Sequence, residues 1–195
     1  MVNLDGEIET FVTRRTHELY NFKSSLAMLR RGVGKKLGDI PNLLEYVMLP
    51  GNDESCKMQQ AEKAVYTAIT LYAFHQQGSA EFVGTKHNAQ GEAGEENSRK
   101  SFGAAVKQLV SANQDNKNAV TRRLDQVLTS KDLTELAIHA RALIGQMKQA
   151  GIHLDYGMFA KDLFWFQQPD YRRNVILKWG KDYYRYTEEE KENGK

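Results

Sequence analysis

The apolar residues of this 195-residue chain recur at intervals of three and four along most of its length, and only three prolines interrupt them. That spacing places apolar side chains on one face of successive α-helices. No stretch shows a convincing alternation of apolar and polar residues with a period of two, so we predict no sheet. The pattern therefore predicts an all-α fold.

Three helices are predicted in the first part of the chain. The first is one amphipathic helix of about six turns, whose apolar face runs from Ile8 through Phe22 to Leu29 and which ends near Gly32. A short second helix begins at 39–41, with proline in its first turn. The third helix is rich in alanine, which predicts close packing against a neighbour. Its apolar positions are Ala61, Ala64, Val65, Ala68, Ile69, Tyr72 and Ala73.

The second part of the chain resumes the same spacing and predicts five more helices. Ser130 is expected to cap the third of these five, with Asp132 in its first turn, and Gly151 is expected to end it. Asp155 is expected to cap the following helix. Pro169 then separates that helix from the last one.

A glycine-rich stretch, residues 78–97, separates the two helical parts. It holds four glycines and four glutamates, and its length is uncommon for a structureless loop inside a compact domain. We predict two packed helical bundles, residues 1–77 and 98–187, joined by this long flexible loop. Residues 188–195 are predicted to be a disordered acidic tail.

The charge is distributed unevenly between these segments. The net charge is +2, but residues 78–97 contribute −3 and residues 188–195 contribute −2, which leaves +7 on the predicted bundles. A basic body indicates a phosphate-rich partner, although ordinary solvated helix faces are the alternative. The candidate nucleic-acid-binding residues are Arg30, Arg31, Lys35, Lys36, Arg122, Arg123, Arg172, Arg173, Lys178 and Lys181.

Position distinguishes these basic residues more than number does. The pairs at 30–31 and 35–36 flank a glycine-rich loop whose backbone amides can cradle phosphates. The pair at 122–123 lies off the apolar face of its helix. Lys178, Lys181 and Arg185 are spaced as a one-sided basic stripe opposite Val175 and Trp179.

The sequence gives little support to enzyme chemistry. The glycine loop lacks a Walker Gly-Lys-Ser/Thr, and the five histidines form no metal-ligand spacing. Acidic residues around Pro169-Asp170 and Glu189-Glu190-Lys191 match a nuclease pattern formally, but they fall at a helix start and in the charged tail. The aromatic run 164–166 is interpreted as core rather than as a base-stacking surface. We therefore predict no catalytic residue, metal site or cofactor.

The expected location is the cytoplasm. Cys56 is the single cysteine, so no intramolecular disulfide can form, which is typical of a reducing compartment. No apolar run reaches the ~20 residues needed to span a bilayer, and the first residues do not resemble a signal peptide. No membrane partner is predicted.

Several segments follow one another in a characteristic order and spacing. They are Leu29-Arg30-Arg31, Asp39-Ile40-Pro41, the alanine-rich helix to Phe74-His75-Gln76, Ser101-Phe102-Gly103-Ala104, 122–128, 133–139, Leu154-Asp155-Tyr156 and 163–166. In this order and spacing, rather than in any one motif, the chain resembles the CasB family, the small subunit of the type I-E CRISPR Cascade surveillance complex. The resemblance covers roughly residues 8–186.

This resemblance implies an all-helical, non-catalytic subunit of two packed bundles. Such subunits sit as a pair beside the backbone subunits that hold the guide RNA, and their basic surface is thought to stabilise opened target DNA. The implied partners are the other Cascade subunits, a second copy of the chain, and target DNA, with guide RNA as a further candidate. Arg30, Arg31, Arg122 and Arg123 match basic positions of the family, whereas 172–173 match at slightly different offsets.

Two rival hypotheses remain open at this point. The first is a purely structural adaptor, whose basic faces dock on partner proteins without contacting nucleic acid. The second is a small helical enzyme such as a metal-dependent nuclease.

Overall fold

The computed structural model describes residues 3–51, 55–85 and 101–185, and within these ranges the chain forms nine α-helices and no strand. The predicted all-α fold is confirmed. None of the described helices combines the length and the apolar composition that crossing a bilayer requires. The helices are α1 (Leu4–Tyr20), α2 (Lys23–Leu29), α3 (Leu44–Val47), α4 (Cys56–His75), α5 (Phe102–Ala112), α6 (Lys117–Thr129), α7 (Leu133–Ala150), α8 (Tyr156–Phe166) and α9 (Pro169–Tyr184).

The alanine-rich helix α4 lies at the centre of the fold. It packs against α1, α2, α7 and α8. Ala61, Ala64 and Ala68 are fully buried, so the neighbouring backbones approach closely, as the alanine pattern predicts. Ser55 begins the helix by accepting a hydrogen bond from the backbone N–H of Met58.

The hydrophobic core is one continuous cluster that draws on residues before and after the glycine-rich stretch. α8 packs on both α1 and α4, and α5 packs on α9. Stacked and tilted rings of Phe102, Phe159 and Trp179 fill the centre of the second half. The predicted boundaries at 77/78, 97/98 and 187/188 stay predictions, and the last two lie outside the described residues.

Two glycines allow the closest helix crossings. A Cβ on Gly103 would lie 2.1 Å from the carbonyl oxygen of Trp179, where α5 crosses α9. A Cβ on Gly157 would lie 2.2 Å from Thr13 Oγ1, where α8 crosses α1. No other residue type fits these two positions without a shift of the neighbouring helix.

The predicted single long first helix is wrong, because the structure divides it at Asn21 and Phe22. Phe22 has a non-helical backbone (φ −109°, ψ 79°), and its side chain is 58% exposed rather than part of the apolar face. α1 packs on both α8 and α4, whereas α2 packs on α4 and on the following turn at Arg30–Gly32.

The cap of α7 also differs from the prediction. Asp132, not Ser130, is the N-cap, and its Oδ1 accepts the backbone N–H of Glu135 at 2.9 Å. Ser130 is buried and donates instead to the carbonyl oxygen of Gln126 in α6. The predicted cap at Asp155 and the left-handed end at Gly151 (φ 65°) are confirmed.

Candidate nucleic-acid interface

A cleft of about 500 Å³ opens between the loop after α2, the side of α4, the start of α7 and the junction of α8 with α9. The loop supplies residues 35–37 and α4 supplies residues 60–67. The cationic residues that line the cleft are Lys35, Lys36, Lys63, Lys131 and Arg172. Four separate segments of the chain thus bring positive charge to one concave surface.

The loop that carries Lys35 and Lys36 is held in place by its glycines. Tyr66 Oη donates to the carbonyl oxygen of Gly32 at 3.0 Å, which fastens the loop to α4. Gly34 has φ +74°, a backbone conformation that favours glycine, and it packs against Ile138 of α7. The loop therefore lies between α4 and α7 and holds both lysines at the cleft.

The loop also carries a carboxylate, Asp39. Its Oδ2 accepts the backbone N–H of Lys36 at 2.9 Å and so closes a turn. Burial, and then the charge of Asp39, raise the pKa of Tyr66 to about 12. Tyr66 therefore remains a neutral hydroxyl donor at physiological pH.

The start of α7 forms the opposite wall of the cleft. The backbone N–H of Lys131 donates to Glu135 Oε2 at 2.7 Å, while Asp132 accepts from the N–H of Glu135. This reciprocal arrangement is a capping box displaced by one residue. It holds Lys131 next to the positive end of the α7 dipole, so both contribute positive potential.

Arg172 has a structural role as well as a place in the wall of the cleft. Its guanidinium donates to the carbonyl oxygens of Lys131, at 3.1 Å, and Ser130. It also lies 4.2 Å from the ring centroid of Phe166, a cation–π contact. These contacts join the end of α6 to α9 and position Lys131.

The remaining predicted arginines lie elsewhere. Arg30 lines a separate cleft of about 670 Å³ with Tyr20 and Lys23, and Arg31, the next residue in the chain, is exposed. Arg122 is exposed and Arg123 is half-buried on α6. These two positions precede Ser130 by seven and eight residues, which corresponds to about 10–12 Å along the helix axis.

The predicted basic stripe on α9 is interrupted at Lys178. Its ammonium group lies 2.7 Å from Oδ1 of Asp162, and Oδ2 of the same carboxylate accepts from Trp179 Nε1 at 2.8 Å. Lys178 is therefore on the same side as Trp179 rather than opposite to it. Arg173 and Lys181 are exposed on the outer side of α9.

The sequence prediction does not include Lys63 or Lys131, because neither residue belongs to an adjacent basic pair or to the predicted stripe on α9. Lys63 shares its helix face with Gln60 and Thr67, at spacings of three and four, and all three line the cleft. The spacing of these three residues in the sequence is sufficient to predict that they share one helix face. For Lys131, the only signal was its position beside the cap of α7.

In residues 3–51, 55–85 and 101–185, no group of three or more His, Cys, Asp or Glu side chains is arranged to hold a metal ion. The segments 86–100 and 186–195 are outside this statement.

Comparison with known proteins gives one family and several similar folds. The model of the family described as CRISPR-associated protein Cse2 matches residues 25–184. The structure of CasB from Thermobifida fusca is similar with 28% identity and a TM-score of 0.68, over 91% of this chain and 98% of that one. A search of curated proteins finds no match.

Two more solved structures show the same fold at lower identity. A CRISPR-associated protein of the Cse2 family from Thermus thermophilus has 20% identity and a TM-score of 0.62, over 91% of this chain and 97% of that one. A chain of a structure described as a CRISPR RNA-guided surveillance complex has 21% identity and a TM-score of 0.66, over 98% of this chain and 99% of that one.

Proposed function

The chain belongs to the Cse2 family of CRISPR-associated proteins, and we propose that it is a non-catalytic subunit of an RNA-guided surveillance complex of the type I-E Cascade kind. In this role it binds the nucleic-acid backbone independently of sequence and stabilises the opened target DNA. The structure described as a surveillance complex contains a chain of the same fold, which supports this assignment.

One observation carries the nucleic-acid part of the proposal: four chain segments bring five cationic side chains to the cleft. Of the described residues that line it, Asp132 alone carries a carboxylate. A concave surface of one sign focuses its field and attracts phosphate groups. Contacts from lysine and arginine to phosphate groups carry no information about the bases, so binding through them should be independent of sequence.

In this proposal, Arg122 and Arg123 on α6 provide a further contact to a strand that leaves the cleft. The end of α6 reaches the cleft at Ser130 and Lys131, where Arg172 binds both carbonyl oxygens. A strand leaving the cleft along α6 would meet the two arginines about 10–12 Å farther on. Arg30 lines the other cleft, and together with the exposed Arg31 it forms a second, separate contact in this proposal.

A few such contacts are enough to matter energetically. Replacing a DNA duplex by an RNA–DNA hybrid is nearly balanced in free energy, so small additional terms decide whether the open state persists. Each neutralised phosphate of a single strand contributes about 0.7 to the slope of log K against log salt. The proposed partners are target DNA, with guide RNA as a further candidate, the other subunits of the complex and a second copy of this chain.

The first test is binding of fluorescent single-stranded DNA over a salt series. We expect the double variant K63E/K131E to bind at least tenfold more weakly at low salt and to lower the salt slope by about 1.4, because two phosphate contacts are lost. R122E/R123E should weaken binding to DNA of every sequence. R30E/R31E should also weaken binding, with a lower slope of log K against log salt than the unmodified chain.

The matched control is K148E, which makes the same charge change near the other end of α7, about 25 Å from Lys131. It should leave binding within twofold of the unmodified chain. Unchanged affinity of K63E/K131E would show that the cleft is not the binding surface. No binding of the unmodified chain even at low salt would favour the structural adaptor, and cleavage of labelled DNA with Mg²⁺ would favour the enzyme.

A further inference from the structure

We propose that the cation-lined cleft between α4, α7 and α9 binds a nucleoside polyphosphate as a discrete small ligand. This goes beyond strand binding, because the ligand is a free nucleotide held in one place. The nucleotide would occupy the same cleft residues that bind a strand in the proposed function, so a bound nucleotide and a nucleic-acid strand would compete. The proposal includes binding only, and no bond is made or broken.

The size of the cleft suits a ligand of this class. Its volume of about 500 Å³ lies within the ~300–1,000 Å³ typical of small-molecule sites. A double helix is too wide to enter a cavity of this volume, and a single strand would place only about one nucleotide in it. The walls combine charged side chains with apolar ones, including Leu37, Leu133 and Phe166.

The charge of the cleft favours a compact polyanion over an internal phosphodiester. Five cations and one carboxylate among the lining residues leave an excess of four positive charges. The nearby carboxylates of Asp39 and Glu135 accept backbone N–H groups of Lys36 and Lys131, and counting both still leaves an excess of two. One nucleotide of a strand brings a single negative charge. A nucleoside di- or triphosphate brings about three or four charges in the same volume, since a terminal phosphate adds up to two charges.

The groups around the cleft divide into phosphate-binding and structural ones. Lys35, Lys36 and Lys63 are exposed, flexible point charges on two facing segments, which suits a phosphate chain between them. The start of α7 adds the positive end of an 18-residue helix. Phosphate groups are therefore the part of the ligand that this cleft can bind strongly.

Two neutral donors in the wall of the cleft are already engaged within the protein. Tyr66 Oη donates to Gly32 at 3.0 Å, and Gln167 Nε2 donates to the carbonyl oxygen of Gln60 at 2.8 Å. These groups are not left to read the edge of a base. We therefore expect ATP and GTP to bind with similar affinity, and affinity to follow phosphate charge.

The test is isothermal titration of the full 195-residue chain with ATP, GTP, ADP, AMP and adenosine in about 50 mM salt without divalent cations. The expected affinity falls by at least threefold from ATP to ADP and again from ADP to AMP, and adenosine gives no heat. ATP and GTP should agree within twofold. K63E/K131E should weaken ATP binding at least tenfold, whereas K148E should change it less than twofold.

Three results would overturn this inference. They are no binding of ATP at 1 mM, equal binding of ATP and AMP, or ATP binding that survives K63E/K131E in a variant with unchanged circular dichroism. Binding of single-stranded DNA is measured separately. If the unmodified chain binds single-stranded DNA but not ATP, only the nucleotide site is rejected and the proposed function stands. Displacement of labelled DNA by ATP, but not by adenosine, would support the shared cleft.

Discussion

The ammonium group of Lys178 on α9 lies 2.7 Å and 2.9 Å from the two carboxylate oxygens of Asp162 on α8. The side chain of Asp162 is only 7% exposed, and burial raises its pKa, while the charge of Lys178 and the hydrogen bond from it lower that pKa. Trp179 donates a third hydrogen bond to the same carboxylate. Lys178 is thereby assigned to the α8–α9 packing rather than to a basic surface.

Replacing Lys178 by alanine should destabilise the fold, whereas replacing Lys181 should not. K178A leaves a buried carboxylate without its cationic partner, which costs about 2 kcal/mol once the partial exposure of the lysine is considered. K181A removes an exposed charge and should change stability by less than about 0.5 kcal/mol. Urea unfolding followed by circular dichroism measures both. Equal stabilities of the two variants would contradict the structural role of Lys178.

Acid should destabilise the protein through His75. Burial first, then the nearby His153 and Lys148, lowers the pKa of His75 to about 3. Its Nδ1 lies 3.0 Å from Tyr156 Oη in the core between α4 and α8. The unfolded chain takes up a proton below pH 6.5 and the folded chain does not, so this contribution to stability is present above pH 6.5. It is lost as the pH falls toward 3, at about 1.4 kcal/mol per pH unit.

The check is the free energy of unfolding of the unmodified chain and of H75Q between pH 7 and pH 4. We expect H75Q to be less stable at pH 7, because a buried hydrogen-bonded ring is lost. As the pH falls, the free energy of unfolding of H75Q should nevertheless decrease less steeply. The difference in slope should correspond to about one proton fewer taken up on unfolding. Parallel pH dependences of the two proteins would show that His75 is not the responsible group.

A methyl group at Gly157 should destabilise the crossing of α8 with α1. A Cβ there would lie 2.2 Å from Thr13 Oγ1 and 2.8 Å from the backbone oxygen of Glu9, so α1 would have to move. G157A is expected to cost about 2 kcal/mol. The control is G180A on α9, where nothing lies within 4 Å and alanine should stabilise the helix by about 0.5–1 kcal/mol. Thermal unfolding measures both, and a stable G157A would mean that the crossing is looser than described.

Asp132→Asn should strengthen binding of polyanions in the cleft. Asparagine keeps the N-cap of α7, and the substitution removes the carboxylate among the lining residues. Across roughly 7 Å in water, the lost repulsion is about 0.6 kcal/mol, or about threefold in affinity at low salt. D132A is the companion variant, since it removes the same charge and also the cap, and should cost about 1 kcal/mol of stability. Weaker DNA binding by D132N would contradict the electrostatic account.

Local sequence signals predicted the presence of helices better than the residues at which they begin and end. Asp155 and Gly151 act as predicted, because a cap depends only on residues within one turn. The break at Phe22 cannot be predicted from spacing, because the periodic apolar pattern continues through it and only the folded structure exposes Phe22. The sequence also does not distinguish Ser130 from Asp132 as the cap of α7, because both residue types are good caps. The tertiary fold decides between them by burying Ser130.

The residues of the candidate interface were predicted only in part. The structure places Lys35, Lys36 and Arg172 in one cleft and adds Lys63 and Lys131, which stood as single lysines in the sequence. It assigns Lys178 to Asp162 and sets Arg30 in another cleft. Which lysines meet depends on how helices cross, and residue spacing within one helix does not contain that information.

The amino-acid sequence by itself determined that this chain is helical, that its body is basic and that it resembles the CasB family, because periodicity, charge and segment order are properties of the chain read in one dimension. The tertiary structure alone decided which charges converge. Residues 35, 63, 131 and 172 come from distant parts of the chain, and the packing of α4, α7 and α9 around a shared core brings them to one cleft.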